Sequence, residues 1–204
     1  MQKAFYFDQT RCTGCNTCVV ACKDWKGIKP GNMNLRRLNT VEQGSFPAMR
    51  FITLSVSCNH CEAPSCLTAC PAGAITKRPE DGIVLVDRAA CQNFRTCLAV
   101  CPYGAPQFSI DTDEPVKDSS WQTDHPMNKC DMCVDRWQAG KKPICVDSCP
   151  QRALDAGDLT DLKKKYPDAI TDSRMLPNSK YDPFGNALAK DTKPAFLLRT
   201  KSVK

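Results

Sequence analysis

The stretch "CTGCNTCVVAC", residues 12–22, places four cysteines at short and regular intervals. Two cysteines separated by two residues lie on one tight loop, so both sulfurs can face one metal centre. A third cysteine at the same spacing adds a third ligand, whereas the fourth is set back by a short helical turn and points elsewhere. The stretch therefore predicts that one run of chain serves two neighbouring metal sites.

Three further groups of cysteines follow along the chain in a similar order, and repetition of this kind predicts duplicated modules. The group ends repeat as well, because "CPAGAI", "CPYGAP" and "CPQRAL" share a Cys-Pro pair and an alanine at the same offset. In the third group, "CQNFRTCLAVCP", Phe94 stands where another cysteine is expected. The cysteines lie at positions 12, 15, 18 and 22 in group one, 58, 61, 66 and 70 in group two, 91, 97 and 101 in group three, and 130, 133, 145 and 149 in group four.

Cysteine content limits the chemistry of these groups. Fifteen cysteines beside 2 histidines are far more than the packing of a 204-residue chain requires, so the thiols form disulfides, bind metal or do both. A disulfide framework is disfavoured, because the count is odd and the start "MQKAFYFDQTR" lacks the apolar stretch and cleavage site of a secretion signal. Zinc sites favour two Cys-x2-Cys pairs separated by a longer loop, which only group four approaches.

Iron–sulfur chemistry fits the spacing better than either alternative. Group one has the bacterial ferredoxin spacing C-x2-C-x2-C-x3-C, in which the fourth cysteine ligates the other cluster of a pair. Four groups then imply two pairs of sites, and hence four metal sites. His60, inside group two, is a candidate to ligate iron or to hydrogen-bond a sulfide, and the alternatives are a place behind the ligands or at the surface.

Several other classes of function are disfavoured. No run approaches the roughly 18 apolar residues of a membrane helix. The chain has no Ser/His/Asp set, no glycine-rich phosphate loop and no pterin site, so it predicts no catalytic site of its own.

The net charge of +6 comes mostly from residues 151–204, where the short basic cluster "LKKKYPD" indicates a solvated surface and not nucleic-acid binding. Lys141 and Lys142 could dock an acidic partner or lie in a solvated turn.

Local patterns predict an α+β chain of small strand–loop–helix units held by metal. The runs at 4–7, 51–56 and 83–86 read as strands, while "CLTAC" and "CLAVC" read as helical turns that a following proline ends. One further helix is predicted at about 158–166. Glycine, proline and asparagine interrupt residues 26–50, which read as a surface insertion, and residues 109–128 read the same way. The tail beyond Pro167 shows no clear period and predicts an extended or partly disordered arm.

Three longer stretches carry a resemblance to a known family: "SCNHCEAPSCLTACPAGAITKRPEDGIVLVD", "CPYGAPQF" and "KCDMCVDRWQAGKKPICVDSCPQRALD". They resemble the iron–sulfur electron-transfer subunit of the dimethyl sulfoxide reductase family of molybdenum and tungsten oxidoreductases, the DmsB type. The resemblance covers residues 3 to about 158 and keeps the four motifs in order, including the long gap in the last. It is less specific through the insertion and the tail.

The resemblance implies two ferredoxin-like modules with loop insertions and an extended C-terminal arm. Motifs one and four would form the first module, from residues 1–57 and 107–157, and motifs two and three would form the second, from residues 58–106. Residues 158–204 would supply the C-terminal helix and a tail that contacts a partner.

The same resemblance implies the ligand sets. Three complete sets would each hold a [4Fe-4S] cluster, and a fourth site would keep three cysteines. The complete sets are Cys12, Cys15, Cys18 and Cys149; Cys22, Cys130, Cys133 and Cys145; and Cys58, Cys61, Cys66 and Cys101. The incomplete set is Cys70, Cys91 and Cys97.

Phe94 marks the corner of the incomplete set. A phenyl ring offers neither a lone pair nor a charge, so the simplest outcome is the loss of one iron and a [3Fe-4S] cluster. Several relatives also carry an aromatic residue at this corner, which favours that outcome. The alternatives are a [4Fe-4S] cluster with a ligand from outside the protein, and an empty site in which Phe94 fills an apolar core. Retention of the three cysteines argues against a decayed site.

The resemblance finally implies a function and a location. The chain would relay electrons through three [4Fe-4S] clusters and one [3Fe-4S] cluster, between a quinol-linked membrane anchor and a molybdopterin catalytic subunit that carries molybdenum or tungsten. Alternatives are the equivalent subunit of a formate dehydrogenase, a hydrogenase-linked complex, or a polysulfide or thiosulfate reductase, and, from another class, a structural zinc-binding interaction protein.

A peripheral place on the periplasmic or cytoplasmic face of the membrane is expected. Without its own signal peptide, the chain could be exported together with a twin-arginine partner.

Overall fold

The central element of the fold is a three-stranded sheet in the order β6-β1-β7. The computed structural model describes residues 1–110, 114, 118–171 and 192–201. Strand β1 (Lys3–Asp8) pairs antiparallel with β6 (Leu154–Asp158) and parallel with β7 (Phe196–Arg199). The sheet therefore joins the first strand of the chain to elements near its end.

Strand β1 is buried on both faces, as its unbroken apolar sequence requires. Side chains alternate between the two faces of a strand. Phe5 and Phe7 pack into the largest core, which also contains many of the cysteines. Ala4 and Tyr6 face the other way and pack in a second core against Leu162 of helix α6 (Leu159–Lys165). The central strand thus separates the metal-ligand side of the fold from the C-terminal helix.

Two small antiparallel sheets complete the β structure. Strands β2 (Arg37–Gln43) and β3 (Arg50–Val56) form a hairpin, and β4 (Ile75–Lys77) pairs with β5 (Val84–Val86). The turn of the first hairpin includes Gly44, whose φ of +84° and close approach to the Ala48 carbonyl leave no room for a side chain.

Five short helices lie beside the cysteine groups. Helix α1 (Thr17–Trp25), in group one, packs against α5 (Ile144–Asp147), in group four. Helix α2 (Ser65–Thr68) of group two packs in the same way against α3 (Thr96–Ala99) of group three. Helix α4 (Val134–Gln138) lies in the insertion of group four. No helix among the described residues is long and apolar enough to cross a bilayer.

Most local predictions agree with these elements. The strands predicted at 4–7, 51–56 and 83–86 correspond to β1, β3 and β5, and the helix predicted at about 158–166 is α6. The helical turns predicted in "CLTAC" and "CLAVC" are α2 and α3. These elements have strong local signals, either a run of apolar β-formers or a proline that ends a helix.

Two predictions of irregular structure are wrong in part. Residues 26–50, read as a surface insertion, contain β2. Before this strand, Met33, Leu35 and Arg36 are buried. The polar sequence "RLNTVEQ" did not predict β2. The strand pairs only with β3 and most of its side chains stay partly exposed, so it needs no apolar pattern. The C-terminal tail supplies β7, whose Phe196, Leu197 and Leu198 are buried beside β1. The rest of the predicted arm, at 172–191 and 202–204, lies outside the described residues, and its contact with a partner stays a prediction.

Candidate iron–sulfur sites

The first site joins group one to the end of group four. Helix α1 begins at Thr17, between two of the ligands, and α5 ends shortly before the ligand from group four. Burial is the main cause of the raised pKa of Cys12. The Thr17 hydroxyl, 3.3 Å from Cys15 Sγ, lowers the pKa of that exposed thiol. A single pocket, with about 320 Å³ of empty volume including space open to solvent, is lined by Cys12, Cys15, Cys18 and Cys149.

The second site lies deeper in the largest core. Burial raises the pKa of Cys22 to about 12, and the nearby Cys145 and Cys133 thiols raise it further. Burial also raises the pKa of Cys133 to about 11, and that of Cys130 well above its ordinary value. The contact between α1 and α5 brings the thiol of group one to those of group four. The buried cysteines gathered here are Cys22, Cys130, Cys133 and Cys145.

The third site collects group two and the end of group three. Burial raises the pKa of Cys66 to about 12, and the thiols of Cys58 and Cys101 contribute to the rise. The pKa of Cys61 is raised by burial and then by the same two thiols. The structure therefore brings together Cys58, Cys61, Cys66 and Cys101.

The fourth site contains the incomplete set. Burial raises the pKa of Cys97 to about 11, and Cys91 and Cys70 are among the neighbouring thiols that raise it further. Its pocket has about 300 Å³ of empty volume, close to the 320 Å³ of the first site. Three cysteines and an aromatic residue from two groups line this pocket, namely Cys70, Cys91, Cys97 and Phe94.

Phe94 occupies the position in group three that Cys15 occupies in group one. The residue after Cys15, Asn16, has φ 61° and ψ 1°, and the residue after Phe94, Arg95, has φ 60° and ψ 3°. The loop therefore keeps the ligand-bearing conformation although its side chain is not a ligand. Phe94 is 56% exposed, so the interpretation in which its ring fills an apolar core is wrong.

Comparison with known proteins gives the family. The model of a family described as a 4Fe-4S dicluster domain matches residues 49–159. The chain is 39% identical over 216 residues to DmsB of the anaerobic dimethyl sulfoxide reductase of Escherichia coli K12, across 99% of this chain and 98% of the relative. The protein belongs to the family of DmsB-type iron–sulfur electron-transfer subunits.

Other relatives of this DmsB-type chain extend the comparison. YnfG of Escherichia coli K12, a probable anaerobic dimethyl sulfoxide reductase chain, is 41% identical over 173 residues, covering 81% of this chain and 78% of the relative. A sulfite dehydrogenase subunit of Allochromatium vinosum is 34% identical over 189 residues, covering 83% of this chain and 74% of the relative. The chain is accordingly a non-catalytic electron carrier that serves a respiratory oxidoreductase complex.

The donor atoms of the DmsB-type chain fit iron–sulfur clusters, since soft thiolates are the ligands of such clusters. Buried thiols with a raised pKa keep their protons at neutral pH until a metal ion replaces them. Within the described ranges, no three His, Cys, Asp or Glu side chains close around the position of a single ion. Thiolate ligands of one zinc ion all lie about 2.3 Å from the metal, whereas thiolate ligands of an iron–sulfur cluster surround a larger group of atoms.

At two of the three Cys-Pro pairs, the backbone amide of the repeated alanine donates a hydrogen bond to the cysteine sulfur. The N–H of Ala105 donates to Cys101 Sγ at 3.4 Å, and the N–H of Ala153 donates to Cys149 Sγ at 3.3 Å. Both bonds span the same offset of four residues. Hydrogen bonds to ligand sulfurs stabilise the thiolate form and influence the potential of a cluster. At these two copies, the repeat noticed in the sequence therefore corresponds to a repeated sulfur environment.

His60 lies inside the protein, so its predicted alternative at the surface is wrong. It is fully buried, and its Nδ1 accepts a hydrogen bond from the Val84 N–H at 3.1 Å. Burial, followed by the charges of Lys129 and Arg36, lowers the pKa of His60 well below its ordinary value. The ring is therefore neutral, with its proton on Nε2.

The burial of two cations, Arg36 and Lys129, was not predicted from the sequence. Arg36 is 1% exposed and Lys129 is 3% exposed, although basic residues are almost never buried without a partner. Lys129 Nζ donates to the carbonyls of Val84 and Cys130. In "LRRLN" and "MNKCD" neither residue differs visibly from an ordinary surface cation. Lys142, considered as a docking residue, donates to the buried carboxylate of Asp155 at 2.5 Å, and its own side chain is 44% exposed.

Proposed function

We propose that this chain carries electrons one at a time through four iron–sulfur clusters, between a quinol-linked membrane anchor and a molybdopterin catalytic subunit that contains molybdenum or tungsten. The observation that carries the proposal is that cysteines from different groups line common pockets, Cys12, Cys15, Cys18 and Cys149 in one and Cys70, Cys91 and Cys97 in another. Similarity over 99% of the chain to DmsB of a dimethyl sulfoxide reductase supports this kind of complex. The bound clusters would supply reversible one-electron chemistry.

The proposed ligand sets pair group one with group four and group two with group three. The contacts of α1 with α5, and of α2 with α3, support this pairing. The pairing of β1 with β6 supports a first ferredoxin-like module from residues 1–57 and 107–157, and the β4–β5 pair falls within the second module at 58–106. The largest core contains residues of both modules, which would hold the sets at fixed separations.

A linear order of the sets is part of the proposal. The Cys18 thiol of the first set lies close enough to Cys145 of the second for their charges to interact. Cys130 of the second set interacts in the same way with Cys58 of the third. Cys66 of the third set interacts with Cys97 of the fourth. Each set therefore has the next as a neighbour, which favours a single path from one end to the other.

The three-cysteine site is proposed to hold a [3Fe-4S] cluster. Its pocket is nearly as large as that of a complete set, and the loop around Phe94 keeps the conformation of group one. Phe94 and Leu98 are exposed at 56% and 37% at this end of the protein. Apolar side chains such as Ile75, Phe108 and Met127 line the pocket and would limit the access of water.

The subunit is further proposed to lie at the membrane as a peripheral protein, held there by its partners. A twin-arginine signal on the catalytic partner would carry it across if the complex works outside the cytoplasm. A second candidate complex has one observation in its favour, the 34% identity to a subunit of a sulfite dehydrogenase. In that case the catalytic partner would act on a sulfur oxyanion and not on a sulfoxide.

The test is anaerobic purification of the tagged chain from its own organism, followed by iron analysis, electron paramagnetic resonance and identification of the bound proteins. About 15 irons with a near-stoichiometric signal in the oxidised protein are expected, because oxidised [3Fe-4S] is paramagnetic and oxidised [4Fe-4S] is silent. Absence of the signal with about 16 irons would mean that the fourth site holds a [4Fe-4S] cluster with a ligand from outside the protein, and would overturn the proposal. Absence of the signal with about 12 irons would mean that the fourth site is empty. Molybdenum or tungsten in the co-purified large subunit is expected. Activity assays of the complex with a sulfoxide and with a sulfur oxyanion would show on which of the two its catalytic subunit acts.

A further inference from the structure

Arg36 is a fully buried cation beside the core that contains most cysteines of the first two ligand sets. Its Nη1 donates to Ser55 Oγ at 2.9 Å and its Nη2 to Ser57 Oγ at 3.0 Å. The guanidinium lies 4.5 Å from the centre of the Phe5 ring. Arg36 directly precedes β2, so the hairpin directs this side chain onto β1 and away from solvent.

No carboxylate in the described part of the chain forms an ion pair with Arg36. Its buried Nε has no hydrogen-bond partner among the described residues. A guanidinium does not lose its proton in proteins, and a buried charge without a counter-charge is strongly destabilising. The counter-charge of Arg36 must therefore come from another kind of group.

The groups around Arg36 that can become negative are cysteines, which lose their protons and become thiolates when they bind a metal. Burial alone would lower the pKa of Arg36, but the charges of nearby cysteines more than reverse this effect and raise it. Those cysteines belong to both the first and the second ligand set, with three of the four from the second. They are Cys145, Cys130, Cys18 and Cys22.

Ser55 provides a direct connection from Arg36 to one ligand. Its Oγ accepts from the guanidinium and lies 3.8 Å from Cys18 Sγ. Since a metal-bound thiolate can only accept, the Ser55 hydroxyl hydrogen is left to donate to Cys18 Sγ. A charged donor thus polarises a hydroxyl that contacts a cluster ligand.

We propose that Arg36 raises the reduction potentials of the two clusters held by groups one and four, and that this is why a cation is buried there. The inference rests on the proposed function, because it requires clusters in those sets. One electron taken from a reductant makes a cluster more negative by one charge, while Arg36 keeps its proton and its charge. The fixed positive charge therefore stabilises the reduced form more than the oxidised form. The potentials of the clusters in the first and second sets are both raised, and the potential of the cluster in the three-cysteine site is almost unchanged.

The test is a redox titration of the purified complex with dithionite, followed by electron paramagnetic resonance, on the wild type and on Arg36→Met. The iron content and signals of the wild type are measured first, so absence of its clusters would overturn the proposed function before any variant is compared. In Arg36→Met we expect the ratio of reduced to oxidised cluster in the second set to fall about tenfold at a given potential, which is a shift of about 59 mV. The oxidised signal assigned to the three-cysteine site should titrate unchanged in the same sample.

Two further variants separate charge from packing. Arg36→Lys keeps the charge without the fork geometry and should recover most of the wild-type potential. Arg11→Met removes an exposed arginine next to Cys12 and should leave all potentials unchanged, because solvent screens that charge. Full iron content with unchanged potentials in Arg36→Met would overturn the proposal.

If Arg36→Met loses iron, the cluster potentials are measured instead in Arg36→Gln, which can still form hydrogen bonds but carries no charge. Lower potentials in Arg36→Gln than in Arg36→Lys would support the electrostatic role. Equal potentials in these two variants, or loss of iron from all three, would assign Arg36 to folding or cluster assembly and overturn the proposal.

Discussion

Lys26 Nζ lies 2.8 Å from Asp131 Oδ2, across 105 residues of sequence. Lys26 directly follows helix α1 of group one, and Asp131 lies between two ligand cysteines of group four. Burial opposes the charged form of Lys26, but the hydrogen bond and charge of Asp131 outweigh it and raise the pKa of the lysine. The pair therefore fastens together the two groups that are proposed to share two clusters.

Lys26→Met and Asp131→Asn are each expected to destabilise the protein by about 0.5–1 kcal/mol, and the double variant by less than their sum. For a chain of this size, each variant should lose its visible absorbance on heating at a temperature lower by about 1–4 °C. The measurement is anaerobic thermal denaturation of all four proteins. The matched control is Lys164 with Asp161, a pair 3.9 Å apart and exposed at 82% and 71%, which should show no such interaction. Equal losses from the two pairs would contradict a specific role for Lys26 and Asp131.

Phe94→Cys should complete the fourth ligand set, because Phe94 stands in the loop conformation that places Cys15 at the first site. We expect the iron content to rise by about one atom per chain and the signal of the oxidised protein to disappear. Iron analysis and electron paramagnetic resonance on one anaerobic sample measure both effects. Phe94→Leu, which adds no ligand, should keep the wild-type signal. Persistence of that signal in Phe94→Cys with full iron content would mean that this corner does not face the cluster.

Cys70→Ser and Cys101→Ser test which cysteines share a cluster. Cys70 is the last cysteine of group two but lines the pocket of Cys91 and Cys97 of group three. Cys101 is the last cysteine of group three, yet it is a neighbour of Cys66 of group two. Cys70→Ser should therefore abolish the oxidised three-iron signal, while Cys101→Ser should keep this signal and change a [4Fe-4S] cluster. The opposite result would show that each group binds its own cluster.

Asp155 should make stability depend on pH. Burial opposes its ionised form, but hydrogen bonds from Lys142, Lys165 and Tyr166 prevail and lower the pKa to about 2. Because the folded pKa lies below the unfolded value of about 3.9, this stabilisation is complete above that value and is lost as the pH falls toward 2. Asp155→Asn should therefore cost about 2 kcal/mol at pH 7 and at pH 5, and less near pH 3.

Thermal denaturation at these three pH values measures the difference between wild type and Asp155→Asn. Asp161→Asn serves as the control, since its side chain is 71% exposed and its stability should match the wild type. A difference that grows as the pH falls would contradict the lowered pKa of Asp155.

Strong local signals made part of this structure predictable. The cysteine spacing in group one, together with the apolar run of β1, indicated metal ligands and a buried strand without any knowledge of the fold. Phe94 was visible as a departure from a repeated pattern. Strand β2 was not predictable, because its polar residues carry no clear alternation and it forms only by pairing with β3.

The sequence by itself determined the chemistry of this protein, because the spacing of thiols along a short loop fixes which atoms can face a metal. Only the tertiary structure decided which charges lie beside those thiols. Arg36 and Lys129 read as surface cations in the sequence, yet the packing of the hairpin and of group four removes both from water. Burial depends on contacts between segments far apart in the chain, and so does the electrostatic environment of each proposed cluster.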